Sequence, residues 1–192
     1  YGSMNGGKRI RPFLVHIFGK LAKVKKNQSM LLSSAIESIH SYSLIHDDLP
    51  CMDNDDFRRG KLSTHKKFNE AIAILAGDAL HDFAFEILAN SNTHPDAKVR
   101  ILLINKLSKV LGFKGLAGGQ SLDILFENKK IKTSQILKMY KMKTAALFSF
   151  ACGAPYILAK KNIKEINFAE EFGKLFGLIF QIIDDILDDE GD

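Results

Sequence analysis

The chain has 192 residues, 46% of them hydrophobic, which is enough for one buried core and short for two domains. Its 27 Lys and Arg against 22 Asp and Glu give a formal net charge of +5, which argues against wholesale disorder and fits an anionic partner as well as ordinary solvated lysines. Two cysteines, Cys51 and Cys152, make no disulfide framework and favour a reducing, cytoplasmic setting.

Apolar residues recur at helical spacing along most of the chain. In chain order, this spacing predicts helices over residues 30–45, 72–88, 99–111, 134–147 and 168–187, with breaks at 25–29, 49–68, 90–95, 128–134 and 160–167. Thr93 or Asp96, and later Thr133 or Ser134, are candidate N-caps. Because strand-like alternation is nearly absent, we predict an all-α fold, a bundle whose central helices are buried on most sides.

The most apolar stretch, residues 145–159, is interrupted by Ser149, Gly153 and Pro155 and is too short to cross a bilayer. We therefore expect no stable membrane insertion.

A first acidic cluster follows the predicted helix 30–45. Asp47 and Asp48 end that helix, where the helix dipole disfavours negative charge, and Asp53 belongs to the loop that follows. Carboxylates crowded in this way repel each other and need a cation, and magnesium bound through oxygen is the natural candidate. Taken alone, such a segment is more simply interpreted as a solvated acidic loop.

A second acidic cluster lies near the end of the apolar helix 168–187. Asp184 and Asp188 are four residues apart and project from one face, with Asp185 beside them and Gln181 one turn earlier. A frayed acidic helix end is the alternative, but a second such cluster makes it less attractive. Two facing carboxylate clusters that hold magnesium would suit a diphosphate ligand.

Cations adjoin both clusters. Lys8 and Arg11 belong to a glycine-led turn before a helix, Arg58 and Arg59 follow the first cluster, and Lys143 lies within a mainly apolar helix. Arginine binds phosphate oxygens with two hydrogen bonds and lysine adds a point charge. This arrangement predicts an anionic ligand that the cations contact directly and that metal ions bridge to the carboxylates.

Six motifs in this order, spanning residues 6–192, resemble those of the trans-prenyl diphosphate synthases, the bacterial-type farnesyl and geranylgeranyl diphosphate synthase family. They are Gly6-Gly7-Lys8-Arg9-Ile10-Arg11-Pro12, Asp47-Asp48-x4-Asp53 with Arg58-Arg59-Gly60, Gly77-Asp78-Ala79-Leu80, Gly118-Gly119-Gln120 with Asp123, Lys143-Thr144, and Phe180-Gln181-x2-Asp184-Asp185-x2-Asp188. The resemblance implies a single synthase domain over residues 1–192, truncated at both ends. It also implies an antiparallel helical bundle around a deep central cavity, and a homodimer.

The resemblance also implies a role for each matching residue. Magnesium, about three ions per site, would be bound by Asp47, Asp48, Asp53, Asp184, Asp185 and Asp188. The allylic diphosphate would be bound, and its reaction assisted, by Arg58, Lys143, Thr144 and Gln181. Isopentenyl diphosphate would be bound by Lys8, Arg11, His40 and Arg59. Chain length would be limited by Tyr42, five residues before Asp47, with Ser43 beside it.

The implied reaction is the condensation of isopentenyl diphosphate with dimethylallyl or geranyl diphosphate, with farnesyl diphosphate as the main product and no nucleic acid partner. A geranylgeranyl diphosphate synthase and a non-catalytic subunit of a heteromeric synthase are the alternatives. A terpene cyclase would not need Lys8, Arg11 and His40, and a metal-dependent phosphohydrolase would need histidines at ligand spacing, which the sequence lacks.

Overall fold

The computed structural model of the chain describes residues 1–2 and 6–190, without the side chains of 188–190. The elements are α1 (Ile10–Ala22), α2 (Lys26–Asp47), β1 (Phe57–Arg58), β2 (Lys61–Leu62), α3 (Thr64–Lys67), α4 (Glu70–Ala89), α5 (Ala97–Leu111), α6 (Leu116–Phe126), α7 (Thr133–Tyr140), a π-helical turn (Lys141–Ala145), α8 (Ala146–Leu158) and α9 (Ile163–Glu190). The predicted all-α bundle is confirmed.

Two parts of the helix prediction differ from the structure. Helix α6 was missed because Gly118 and Gly119 lower helix propensity, so that packing against the π turn has to stabilise it. The predicted helix 134–147 is broken by the π turn and then continues to Leu158. Such π-helical turns inside helices are frequent at functional sites.

Helix α2 begins at Lys26, inside the predicted break 25–29, and capping interactions explain where three other helices begin. Asp96 caps α5 by accepting a bond from Lys98 N at 2.9 Å, as predicted. Thr133 and Ser134 are not caps, because the side chain of Gln135 instead accepts the Lys132 N–H at 3.0 Å. Helix α9 begins before residue 168 because Asn162 and Glu165 cap each other, with Glu165 N donating to Asn162 Oδ1 at 3.0 Å.

Helix α8 forms the centre of the bundle. Residues 150–155 of α8 are all buried, and the helix packs against α1, α2, α5 and α9. A helix that is apolar all round can be stable only when neighbours cover every face. Its N-terminal end, next to the π turn, therefore lies inside the protein between α1, α6 and α9.

Several large apolar side chains of α4 face outward. Leu75 and Phe83 are 62% and 47% exposed, whereas the buried face contains Ala73, Ala84 and Leu88. Helix α9 also has exposed large apolar side chains along one side, namely Phe168, Phe172, Leu175, Ile179, Ile183 and Ile186. Periodicity thus identified α4 as a helix, but not which of its faces is buried.

A short hairpin follows the first acidic cluster, in the stretch predicted as a loop. Strands β1 and β2 pair antiparallel, with Phe57 opposite Leu62, and Arg59 and Gly60 turn with positive φ angles of 55° and 73°. Two successive positive φ values match the twist of a two-residue hairpin. The hairpin places Arg58 next to the end of α2.

No helix in residues 6–190 combines the length and the apolar character needed to cross a membrane. Both cysteines are free thiols, with Cys51 exposed and Cys152 buried in α8.

Candidate active site

A cavity of about 470 Å³ opens where α2 and α9 end, bounded by α1, α2, α6, the π turn, α8 and α9. The structure brings most of the predicted site residues to its walls. Those that line it are Lys8, Arg11, His40, Ser43, Asp47, Arg58, Arg59, Lys143, Thr144, Gln181 and Asp184. Residues from both ends of the sequence therefore meet around one space.

The first acidic motif is folded back on itself. Asp47 is the last residue of α2, and its carbonyl accepts the backbone N–H of Asp53 at 2.9 Å. This bond folds the loop back onto the helix end, so that Asp47 and Asp53 lie close to each other. Burial, together with the charges of Asp53 and Asp48, raises the pKa of Asp47 to about 7, although Lys143 and Arg58 act in the opposite direction.

This pKa predicts how stability depends on pH without metal. The folded pKa of Asp47 lies above the unfolded value of 3.8, so the stability it contributes is present below about pH 4 and is lost as pH rises to about 7. The Asp47→Asn variant has no such loss. In EDTA at pH 8 it should be more stable than the unchanged protein by about 2–4 kcal/mol, with the difference vanishing near pH 4.

Urea unfolding at several pH values measures this difference. The matched control is Asp56→Asn, because Asp56 lies in the same acidic segment but is exposed and paired with Lys66 at 2.8 Å. If the free energies of unfolding of the Asp47→Asn variant and of the unchanged protein had the same pH dependence, the pKa of Asp47 would not be raised in the folded state.

Asp48 has a different environment from Asp47. Its side chain is buried, and it accepts bonds from Arg58 Nε at 2.8 Å and from Nη2 at 2.5 Å. The same guanidinium donates to Asp55 at 2.7 Å. Asp48 does not line the cavity. In this structure it holds Arg58 in position, and its predicted metal contact stays a prediction.

The aspartates of the second acidic motif also differ from one another in their environments. Asp184 lines the cavity. Asp185 instead accepts a bond from Gln181 Nε2 at 2.6 Å and another from the hydroxyl of Tyr140. Gln181 in turn accepts the hydroxyl of Thr144 at 2.6 Å. This chain of bonds links α9 to α7 and the π turn and orients the amide. The side chain of Asp188, also predicted as a ligand, lies outside the described residues.

Arg11, in the first turn of α1, is partly buried against α8. Its guanidinium lies 4.2 Å from the centre of the Phe148 ring, and one Nη is 3.4 Å from His40 Nε2. Burial and the charge of Arg59 lower the pKa of Arg11 to about 10, although Asp184 acts in the opposite direction. Burial and the neighbouring arginines, Arg11 first, hold the pKa of His40 well below its usual value, so its ring is neutral at neutral pH.

Lys143 is positioned by close approach of α6 to the π turn. A Cβ on Gly119 would lie 2.6 Å from Lys143 Cα, so only glycine permits this contact. One turn further along α6, Asp123 forms an ion pair with Lys143 Nζ. The glycine pair and the aspartate of the fourth motif thus hold the lysine at the cavity wall.

Tyr42 does not line the cavity and lies between α2 and α4. Its ring meets His46 and His81 edge-on, at centroid distances of 5.0 and 5.2 Å. Ser43, its neighbour, does line the cavity and donates to the carbonyl of His40 at 3.0 Å.

Sequence reasoning missed several polar residues of the site. Tyr140 gave no signal because a tyrosine in an amphipathic helix is ordinary, yet burial and its bond to Asp185 raise its pKa to about 12. Glu37 lines the cavity and pairs with Arg9. The available clue to Glu37 was its position one helical turn before His40, which places its carboxylate on the same face of α2 as the predicted ligand.

The carboxylates supply hard oxygen donors, which suit magnesium. Among the described residues, no three acidic, histidine or cysteine side chains stand close enough to hold an ion alone. Magnesium usually keeps several waters and binds one or two carboxylates together with substrate phosphates. The site therefore fits magnesium that binds together with a diphosphate.

The family model described as polyprenyl synthetase matches residues 1–192. The chain is 44% identical over 171 residues to the farnesyl diphosphate synthase of Buchnera aphidicola from Schizaphis graminum, covering 88% of this chain and 58% of that protein. It thus spans less than two thirds of the length of such curated relatives.

Two solved structures are similar throughout the described chain. An apo FPP/GFPP synthase from Zymomonas mobilis superposes with a TM-score of 0.94 at 44% identity, covering 97% of this chain and 68% of the other. A geranyltransferase from Helicobacter pylori, complexed with magnesium and isoprenyl diphosphate, gives a TM-score of 0.91 at 37% identity, covering 100% and 65%.

Proposed function

The chain belongs to the polyprenyl synthetase family, and from that membership we propose that the protein is a short-chain trans-prenyl diphosphate synthase. It joins isopentenyl diphosphate to an allylic diphosphate and makes mainly farnesyl diphosphate. The main support is that Asp47 and Asp184 line one cavity together with Arg11, Arg58 and Lys143. The names of similar proteins, farnesyl diphosphate synthase and geranyltransferase, support the product.

In the proposed reaction, Arg58, Lys143, Thr144 and Gln181 bind and orient the allylic diphosphate. Magnesium, about three ions held by Asp47, Asp53, Asp184 and their neighbours, would neutralise the charge that grows on the departing diphosphate. The bond between the allylic carbon and oxygen breaks, and both electrons leave with the diphosphate. The resulting cation is attacked by the double bond of isopentenyl diphosphate, and a new carbon–carbon bond forms.

Arg11, His40, Lys8 and Arg59 bind the second diphosphate in this proposal. A neutral His40 accepts a bond from Arg11, because a guanidinium can only donate. The proton that leaves after condensation passes to the released diphosphate. Apolar cavity residues such as Leu44, Leu147 and Phe180 exclude water, which would otherwise capture the cation.

The test is product analysis with the full-length protein, magnesium, isopentenyl diphosphate and dimethylallyl diphosphate. Farnesyl diphosphate should dominate. Mainly geranylgeranyl diphosphate would support the alternative synthase, and hydrolysis or cyclisation of the allylic substrate alone would contradict the proposed reaction class. Absence of any product from the purified, folded protein would favour a non-catalytic subunit.

Tyr42 limits chain length in this proposal. Five residues before Asp47 on α2, it lies roughly 7.5 Å further along the helix, and its ring packs against His46 and His81 of α2 and α4. Tyr42→Ala should lengthen the main product by at least one isoprene unit with turnover largely kept. Tyr42→Phe, which retains the ring, should leave the product unchanged. Mass spectrometry of the products decides, and an identical distribution from the Ala variant would locate the limit elsewhere.

We also propose that the enzyme is a homodimer. The exposed apolar side chains Ile72, Leu75 and Phe83 on the outer face of α4 support this, because such a surface is costly to leave in water. A cytoplasmic location stays a prediction.

A further inference from the structure

Gln120 on α6 is buried, with 7% of its surface exposed. Neither its amide oxygen nor its amide nitrogen has a hydrogen-bond partner among the residues that the structure describes. An unpartnered buried amide loses its hydration without compensation, and native proteins rarely contain one without a reason. Because Gln120 also lines the cavity, its amide is available to a ligand there.

The position of Gln120 follows from the packing of α6. Asp123, three residues later on the same face, pairs with Lys143 and its negative charge contributes to raising the pKa of Asp53. Asp123 therefore lies near Asp53, at the end of the cavity where the aspartates are, which forms its acidic rim. Gln120 is one turn deeper, roughly 4.5 Å along the helix axis.

The neighbours of Gln120 in the cavity change from polar to apolar. Lys143, which pairs with Asp123, lies toward the acidic rim, whereas Leu147 belongs to the apolar core and Leu116 packs against that core, and both leucines also line the cavity. A ligand with a charged head and a hydrocarbon tail would thus pass the amide at the junction of its two parts. In an allylic diphosphate, that junction is the bond that breaks.

We propose that Gln120 is a catalytic residue that contacts the allylic diphosphate at the bond between its first carbon and the diphosphate oxygen. This proposal rests on the function proposed above. The amide N–H donates to the leaving oxygen, and the amide carbonyl oxygen faces the carbon on which positive charge develops. The bond electrons leave with the diphosphate, and Gln120 itself forms and breaks no covalent bond.

A carboxamide suits both halves of this contact. Its two ends present a donor and an acceptor about 2 Å apart, so one group spans the breaking bond. Its dipole is held by packing before the charges separate, and fixed dipoles in a water-poor site stabilise such charges strongly. Unlike a water molecule in the same place, the amide remains attached and does not consume the cation.

The test compares Gln120→Leu and Gln120→Met in the full-length enzyme. Both remove the amide, and they differ in shape. Each should lower kcat by about 30-fold or more, with the KM values for both substrates changed less than threefold. Each should also raise the ligand-free Tm by roughly 2–4 °C, because the unpartnered amide is gone. If Gln120 had a merely structural role, replacing it would lower Tm instead.

Gln28→Met is the matched control. The amide of Gln28 is partnered, donating to the Thr93 carbonyl at 2.9 Å, near the end of the bundle where α2 begins. This variant should lower Tm and leave kcat unchanged.

Retention of kcat by Gln120→Met alone would show that shape, not the amide, matters and would overturn the proposal. So would a fall in Tm with both Gln120 variants. These outcomes require an active unchanged enzyme, so they are distinct from failure of the proposed function, in which the unchanged enzyme makes no prenyl diphosphate.

Discussion

Replacing Asp47 by Ala, or Asp184 by Ala, is expected to lower turnover of the full-length enzyme by about three orders of magnitude or more. Both carboxylates line the cavity, from the ends of different helices. Each is therefore placed to bind the metal ions on one side of the allylic diphosphate. Without either side, the charge on the departing diphosphate is poorly neutralised, and ionisation becomes slow.

The fold should survive these substitutions. The pKa of Asp47 is raised by burial and by neighbouring carboxylates, so its removal relieves a repulsion. We expect the ligand-free Tm of Asp47→Ala to equal or exceed that of the unchanged protein. The double variant should lose little more activity than the worse single variant, because the bound metal needs both sides.

Initial rates at saturating magnesium, with circular dichroism to follow the fold, provide the measurement. Asp56→Ala is the control, since Asp56 is in the same acidic segment but pairs with Lys66. Near-normal turnover of Asp47→Ala or of Asp184→Ala would contradict metal binding from both sides.

Substitution of Arg11 and of Lys143 should give different kinetic defects. Arg11→Ala is expected to raise the KM for isopentenyl diphosphate by about 10-fold or more and to change the KM for the allylic substrate little. Arg11 lies over Phe148 and beside His40, which is also predicted to bind isopentenyl diphosphate. Lys8→Ala should show the same pattern more weakly, because Lys8 is exposed.

Lys143→Ala should instead lower kcat by about 100-fold. Its ammonium group pairs with Asp123 and lowers the pKa values of Asp47 and Asp53, which places its charge at the acidic rim. Arg58→Ala should behave like Lys143→Ala and also destabilise the fold, because it leaves the buried Asp48 without its partner.

Steady-state kinetics with each substrate varied in turn separate these patterns. Lys160→Ala is a suitable control, because Lys160 pairs with Asp96 at the far end of the bundle and should affect neither constant. One shared defect in the Arg11 and Lys143 variants would argue against two separate diphosphate sites.

Much of this site could be recognised in the sequence, because its chemistry requires particular residue types at short spacings. The residues from Asp47 to Asp53 and from Gln181 to Asp188 are local motifs, and local spacing on a helix already predicts which carboxylates share a face. Helical periodicity likewise predicted α2, α4, α5 and most of α9, since each keeps an apolar pattern over several turns.

Other features depend on contacts between distant parts of the chain, and only the tertiary structure decided them. Asp48 and Asp185 look equivalent to Asp47 and Asp184 in sequence, yet one is paired with Arg58 and the other with Tyr140 and Gln181. The outward direction of Leu75 on α4 and the unpartnered amide of Gln120 are equally invisible in sequence. The physical reason is that periodicity constrains a single helix, whereas burial and hydrogen bonding of a side chain depend on which neighbouring helix approaches it.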